Sequence, residues 1–297
     1  MSDSSSDEPR RDRVGLGLFL GYSILAGGNA VGVRISNQEL EPLWGATLRF
    51  ALAAILMVAV ALAMGRRVPR GSALIGPSLY GLLAFGGAFA LAFYALVELE
   101  AGFAQILLAV VPLLTVLLAA VQRIERLRVP AVVGALAALA GVVIMSGSNL
   151  DGPLPKLPLL ALLGSALCFS QAAIVVRRFP PMDPLMMNAV GLTVGTLFLA
   201  VLTAIAGSTV VAPSQTDTWW ALAYMVIIGS GVVFSLWVAV VERWSATRAN
   251  YGFVVIPIFT VLASAWILDE PITIGLAFGG VLVLAGVYYG ALHRVSG

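Results

Sequence analysis

Charge is what this sequence has least of. Asp, Glu, Lys and Arg make up only 11% of its 297 residues, against about 25% in an ordinary soluble domain. With 60% hydrophobic residues and a mean hydropathy of +0.99, the chain belongs in a bilayer. Cysteine is nearly absent too: Cys168 stands alone inside an apolar stretch, so no internal disulfide forms and cysteine usage does not report the redox compartment. The single histidine, His293, lies near the C-terminus, which leaves an intramembrane Ser-His or metal-dependent protease without its base or ligands. A phosphate-cradling Gly-rich loop is missing, and with it ATP-driven chemistry on this chain. No cofactor or metal is implied. No Asp or Glu stands in the middle of any apolar stretch, whereas proton-coupled efflux of cations generally uses a buried carboxylate for which proton and cation compete.

A helical span needs about 20 mostly apolar residues. Charges, prolines and glycines divide the chain into ten such stretches, near 14–33, 42–64, 73–96, 102–121, 129–147, 157–176, 184–206, 218–241, 248–268 and 272–292. A transmembrane β-barrel would instead show segments of about 10 residues alternating polar and apolar, and these stretches are apolar all round. The polar segment 1–13 has nothing to bury and is expected to be disordered. Its basic end followed by an apolar run also resembles a signal peptide, but the run exceeds a normal h-region.

The chain also contains itself twice. An ungapped shift of 145 positions pairs Gly86 with Gly231, Phe89 with Phe234, Pro112 with Pro257, Thr115 with Thr260, Glu125 with Glu270, Gly134 with Gly279, and Leu139 to Val142 with Leu284 to Val287. If each copy has five spans, the second enters the membrane upside down relative to the first, the arrangement that underlies alternating access in many secondary transporters. The expected fold is therefore all-α integral membrane, ten transmembrane helices as two inverted five-helix repeats. The first repeat covers 14–147, an outer linker 148–156, the second repeat 157–292 and a short tail 293–297.

Orientation follows from the basic residues, which accumulate on cytoplasmic loops. One set of loops and ends carries Arg10, Arg11, Arg13, Arg66, Arg67, Arg70, Arg123, Arg126, Arg128, Arg177, Arg178, Arg243, Arg248 and Arg294, the other only Arg34 and Lys156. Both termini are expected in the cytoplasm. The net charge of +2 is thus a topology signal, and no basic face for nucleic acid exists.

Polar groups inside a bilayer are costly and ask for a partner, a cavity or a ligand. The candidates for contact with a small-molecule substrate are Asn29, Tyr80, Tyr94, Gln105 and Gln171, with Tyr224, Trp237, Asn250 and Tyr251 in the second copy; Ser165, Ser170, Asn188 and Ser230 are further buried polar groups. Gln105 falls on Asn250 under the shift, so both copies place an amide at one point of their fourth helix, suited to a site between the repeats. The alternative is that such amides hydrogen-bond neighbouring helices. Pro112 and Pro257 stand mid-helix, where each removes a backbone bond; they are candidate hinges, or kinks that neighbouring helices satisfy. Arg49 lies only about seven residues, or about 10 Å, into its span, and is read as snorkelling or pairing with Glu39 or Glu41 rather than as an anion site. Glu125 and Glu270 are read as sealing helix ends. Glycines in the fifth and tenth stretches, Gly134, Gly141, Gly279, Gly286 and Gly290 among them, allow close packing inside the bundle, and no oligomer is required.

Two copies that each end in a Pro-bearing fourth helix, a Glu and a Gly-rich fifth helix resemble the EamA family of the drug/metabolite transporter superfamily. Ala249 to Val287, with Pro257 and the triplet Asp269, Glu270 and Pro271, is the closest match; the first copy follows Glu125 with Arg126 and lacks that last proline. The aromatic lining and the lack of buried acids are most similar to YddG-type exporters of aromatic and other neutral amino acids. That resemblance implies a cavity formed mainly by the third, fourth, eighth and ninth helices and a bacterial inner-membrane location. The expected activity is export of small amphipathic metabolites, amino acids first, with another metabolite such as a vitamin, nucleoside or drug as the alternative. The loops are too short for a partner domain, which disfavours a scaffold or receptor, and the chain is expected not to be an enzyme.

Overall fold

The computed structural model describes residues 8–124, 129–147, 155–180, 182–233, 236, 239–240 and 252–292. Among them every regular element is helical. Six helical stretches are long and apolar enough to cross a membrane: Val14–Ser36, Pro42–Ala63, Gly71–Ala95, Ala101–Val121, Lys156–Val176 and Pro184–Ile205. Three shorter apolar helices, Val129–Met145, Val254–Ile267 and Ile274–Gly290, accompany them.

The first helix, α1, spans Glu8–Ser36. It begins inside the 1–13 stretch expected to be unfolded, because a nucleated helix extends past its apolar run at little cost. Next come α2 (Pro42–Ala63) and a third stretch built from α3 (Ile75–Gly81), a π-helical segment (Leu82–Ala88) and α4 (Phe89–Ala95). The fourth stretch is two helices, α5 (Ala101–Leu108) and α6 (Val111–Val121). Pro112 sits in the first turn of α6, so its missing N–H falls where a helix start needs none, and the chain steps across Ala109 and Val110 through bonds to Ile106 O and Leu107 O, both at 3.1 Å. After these come α7 (Val129–Gly147), α8 (Lys156–Arg178), α9 (Pro184–Ile205) and α10 (Thr216–Ala223). A second π segment, Tyr224–Val232, continues α10. The described chain closes with α11 (Gly252–Ile267), which carries Pro257 inside an unbroken helix, and α12 (Ile274–Val287), continued by a third π segment, Tyr288–Leu292.

In a bilayer, helices gain little from excluding water from one another, so close packing and interhelical hydrogen bonds hold the bundle. α7 and α12 form its most extensive contact. There Gly141 faces Gly279, and a Cβ on either would lie 2.5 Å from the other's carbonyl oxygen; Gly134 meets the backbone of Gly286 and Gly290 just as closely. The glycine stripe is therefore spent inside the bundle. α2 packs on α9, α1 on α11, and α8 on α4 and α6. Polar ties reinforce these pairs: the Thr260 hydroxyl donates to Gly27 O at 2.9 Å, the Ser170 hydroxyl to Val111 O at 3.1 Å, and Thr47 shares a hydrogen bond of 2.9 Å with Thr203.

Because backbone cannot move aside as a side-chain tip can, Gly134→Ala and Gly141→Ala are each expected to cost about 1–3 kcal/mol through overpacking, read as a fall in the thermal unfolding midpoint of the purified protein. Gly17→Ala, where a Cβ would meet nothing within 4 Å, should leave the midpoint unchanged. Equal behaviour of all three would contradict this account of the seam.

Candidate functional site

The core-facing stripe of α2 runs through Ala46, Phe50, Ala53, Met57 and Ala61, and Arg49 lies beside it. Helical periodicity thus carries Arg49 inward, and it is only 4% exposed. This overturns the pairing expected from its depth in the span. Glu39 and Glu41 are both engaged in the neighbouring loop: Glu39 accepts from the Ser214 hydroxyl at 2.6 Å and from the Gln215 amide, while Glu41 accepts from the Thr209 hydroxyl. The bond from Ser214 contributes most to holding the Glu39 carboxyl down at about 2.

Arg49 has no carboxylate partner among the described residues. One Nη donates to Asn29 Oδ1 at 3.0 Å, while Nε and the other Nη make no hydrogen bond. The guanidinium instead lies 4.9 Å from the centre of the Phe50 ring and 5.1 Å from that of Phe89. Attraction of a cation to aromatic faces reaches about 2 kcal/mol when desolvated, but it leaves those N–H donors unused. Asn29 is held toward Arg49 by the second π segment, since a Cβ at Gly229 would overlap its Oδ1.

Around Arg49 stands an aromatic wall whose phenylalanines sequence reading missed, because phenylalanines in apolar helices read as ordinary core. Phe89 meets Phe50 at 4.7 Å and Phe169 at 5.3 Å, and Phe85 meets Phe50 at 5.6 Å and Tyr80 at 5.4 Å between ring centres. Phe85, Phe89, Phe169 and Asn29 are only half-buried.

The expected site residues separate on inspection. Asn29 and Tyr80 join the Arg49 region, Tyr80 donating to Asn188 Oδ1 at 3.4 Å. Gln105 is half-buried and its side chain has no hydrogen-bond partner among the described residues. Gln171 instead accepts from Gln122 at 2.7 Å, and Gln122 accepts in turn from Arg178 at 2.9 Å. Tyr224 donates to Leu25 O at 2.5 Å, tying the π segment to α1. Tyr94 is 40% exposed and stands apart from the aromatic wall. Trp237, Asn250 and Tyr251, like Glu125, lie outside the described residues.

A second polar cluster closes one end of the bundle. Asp269 adopts φ 54°, a left-handed conformation that Asp tolerates better than most residues, and this turn directs Glu270 back onto the start of α5. Its carboxylate accepts from the Ala101 amide at 2.9 Å and the Gly102 amide at 3.3 Å, and pairs with Arg34 at 3.1 Å. Arg34 also donates to Leu99 O at 2.7 Å. Glu270 thus caps a helix that belongs to the other half of the chain, in keeping with a sealing role.

This architecture defines a multi-pass membrane transporter. The profile of the EamA-like transporter family matches residues 13–147 and again 156–290, and the chain belongs to that family, within the drug/metabolite transporter superfamily. It is 28% identical to an uncharacterized transporter of Archaeoglobus fulgidus, over 86% of this chain and 91% of that protein. It is 26% identical to the uncharacterized inner membrane transporter YedA of Escherichia coli, over 92% and 91%. A probable amino-acid metabolite efflux pump of Escherichia coli is 26% identical over 94% of both chains. One crystal structure shares the fold at a TM-score of 0.68, with 22% identity over 94% of this chain and 97% of that one.

Removing the Glu270 carboxylate strands two backbone N–H groups and Arg34. Glu270→Ala is expected to lower stability by about 1–3 kcal/mol and Glu270→Gln, which keeps one acceptor, by less. Thermal unfolding of both variants checks this order; unchanged midpoints would show that the cap is superficial.

Proposed function

We propose that the protein exports small amphipathic metabolites, neutral and aromatic amino acids foremost, by alternating access between two inverted five-helix repeats. The observation that carries this reading is an interior walled by Phe50, Phe85, Phe89, Phe169 and Tyr80 with no acidic residue in the middle of any apolar stretch. Aromatic faces take an apolar or aromatic body, and amides and hydroxyls satisfy polar ends without a buried acid.

Several features support the two-repeat reading. The family profile matches twice, and the π segments Leu82–Ala88 and Tyr224–Val232 overlap under the shift of 145. In each half, a helix near Pro112 or Pro257 is tied to the first helix of the other half, through Ser170 to Val111 and Thr260 to Gly27. The name of one relative, a probable amino-acid metabolite efflux pump, agrees with the substrate class. On this reading the chain has ten spans in a bacterial inner membrane with both ends cytoplasmic, the linker 148–156 outside, and the Arg34–Glu270 cluster at the outer end. Gln105, whose side chain has no hydrogen-bond partner among the described residues, contacts substrate together with Asn250.

Purified protein in liposomes should accelerate phenylalanine or leucine exchange severalfold over empty vesicles. Gln105→Leu should reduce that flux by more than half at unchanged thermal stability. Cells expressing the protein should resist toxic aromatic amino acid analogues more than quaternary ammonium dyes. The reverse resistance pattern, with no amino acid flux, would replace this reading by cationic drug export.

A further inference from the structure

We propose that Arg49 is the anion-binding point of the bundle interior, and that the group it takes is the carboxylate of an amphipathic monoanion, an aryl- or alkyl-carboxylate without an ammonium group. The inference rests on the transport reading only in taking the interior as the substrate's path, and it ranks carboxylates without an ammonium group above the amino acids named there.

The argument begins from charge. Guanidinium does not lose its proton in proteins, so Arg49 carries a full positive charge at 4% exposure. Burial of an ion without a counter-ion is tolerated only where other groups compensate it. The compensation present is partial: one hydrogen bond to Asn29 at 3.0 Å and two aromatic faces. Nε and one Nη have no partner. Glu39 and Glu41, the carboxylates closest in sequence, are held by Ser214 and Thr209, and the ion pairs among the described residues are Arg34–Glu270 and Arg66–Asp183. The region therefore has a net charge of +1 and unused donors, and a carboxylate supplies the missing charge and acceptors together.

The same arithmetic separates a monoanion from a zwitterion. An amino acid bound through its carboxylate brings an ammonium group within a few ångströms of the guanidinium. No acidic side chain among the described residues pairs with it there, and Asn29 Oδ1, bonded to Arg49, offers its remaining lone pair only beside that positive charge. A carboxylate lacking the amine neutralises the site exactly once and leaves its ring or alkyl body against Phe50, Phe89 and Phe169. An amine without a carboxylate meets like charge and, among the described residues, no carboxylate to offset it.

Asn29→Asp provides the decisive variant. It places a carboxylate 3.0 Å from the guanidinium, in the position Oδ1 now occupies, and so supplies from within the chain what the ligand otherwise brings. Titration calorimetry on the full-length protein in detergent, with 3-phenylpropionate, phenylalanine and phenethylamine as probes, reads the outcome. We expect 3-phenylpropionate to bind at least tenfold tighter than phenylalanine, and phenethylamine not to bind. Asn29→Asp should weaken 3-phenylpropionate at least tenfold while raising the thermal midpoint; Arg49→Met should abolish its binding, and Arg49→Lys should retain part of it. Phenethylamine binding as tightly as the acid, no binding of 3-phenylpropionate to the wild type, or unchanged binding in both Asn29→Asp and Arg49→Met would overturn the proposal. Equal affinity for phenylalanine and 3-phenylpropionate would overturn the monoanion assignment. 3-Phenylpropionate binding that persists in Arg49→Met, with phenylalanine flux retained, defeats this inference and leaves the transport reading intact, whereas Arg49-dependent binding without flux of either acid defeats the transport reading alone.

Discussion

An arginine side chain buried at 4% exposure without a carboxylate partner among the described residues is the constraint around which the rest of this interior is organised. A charge in a low-dielectric setting has to be met by something, and here the response is assembled from three helices. α1 supplies Asn29 and α2 supplies Arg49 with Phe50, while α4 supplies Phe89. The second π segment completes the arrangement, because only a glycine at position 229 lets Asn29 approach. π segments are rare and gather at functional sites; this one gains its purpose from the contact it permits.

The surrounding bundle is rigid where backbone meets backbone and interrupted where it encloses this region. α7 and α12 touch through glycines, a seam with no room for an added Cβ. The Pro112 stretch is cut into α5 and α6, whereas Pro257 sits within an unbroken α11. Two prolines in one register of the sequence thus have different local consequences. At Pro112 the preceding turn tightens into i→i+3 bonds, and Ser170 and Thr115 both donate to the Val111 carbonyl. Around Pro257 the helix is held from outside, by Thr260 on Gly27.

Hydropathy and small-residue spacing made the helices legible, and the boundaries of α2 and α9 fall within about two residues of those read from apolar runs. Gly134, Gly141 and Gly279 were legible as packing positions because small residues four apart have one main use in a membrane helix. Arg49 was misread because depth along the helix was weighed and facing was not; the stripe Ala46, Phe50, Ala53 and Met57 already pointed it inward. Gln171 and Tyr224 were polar and well placed along the chain, but their partners, Gln122 and the Leu25 carbonyl, come from distant segments that one sequence does not connect. Phe85 and Phe169 carried no signal, and Phe89 only that of the repeat, since composition cannot tell an aromatic that walls a site from one that fills a core.

Alternating access to the Arg49 region is the claim on which the functional account stands, and cysteine accessibility tests it most directly. With Cys168→Ser as background, Phe89→Cys places a thiol at the aromatic wall beside Arg49. A membrane-impermeant maleimide should label that position both in intact cells and in inside-out vesicles, and transported substrate should slow labelling from each side. Labelling from one side only, or from neither, would contradict alternating access at this site.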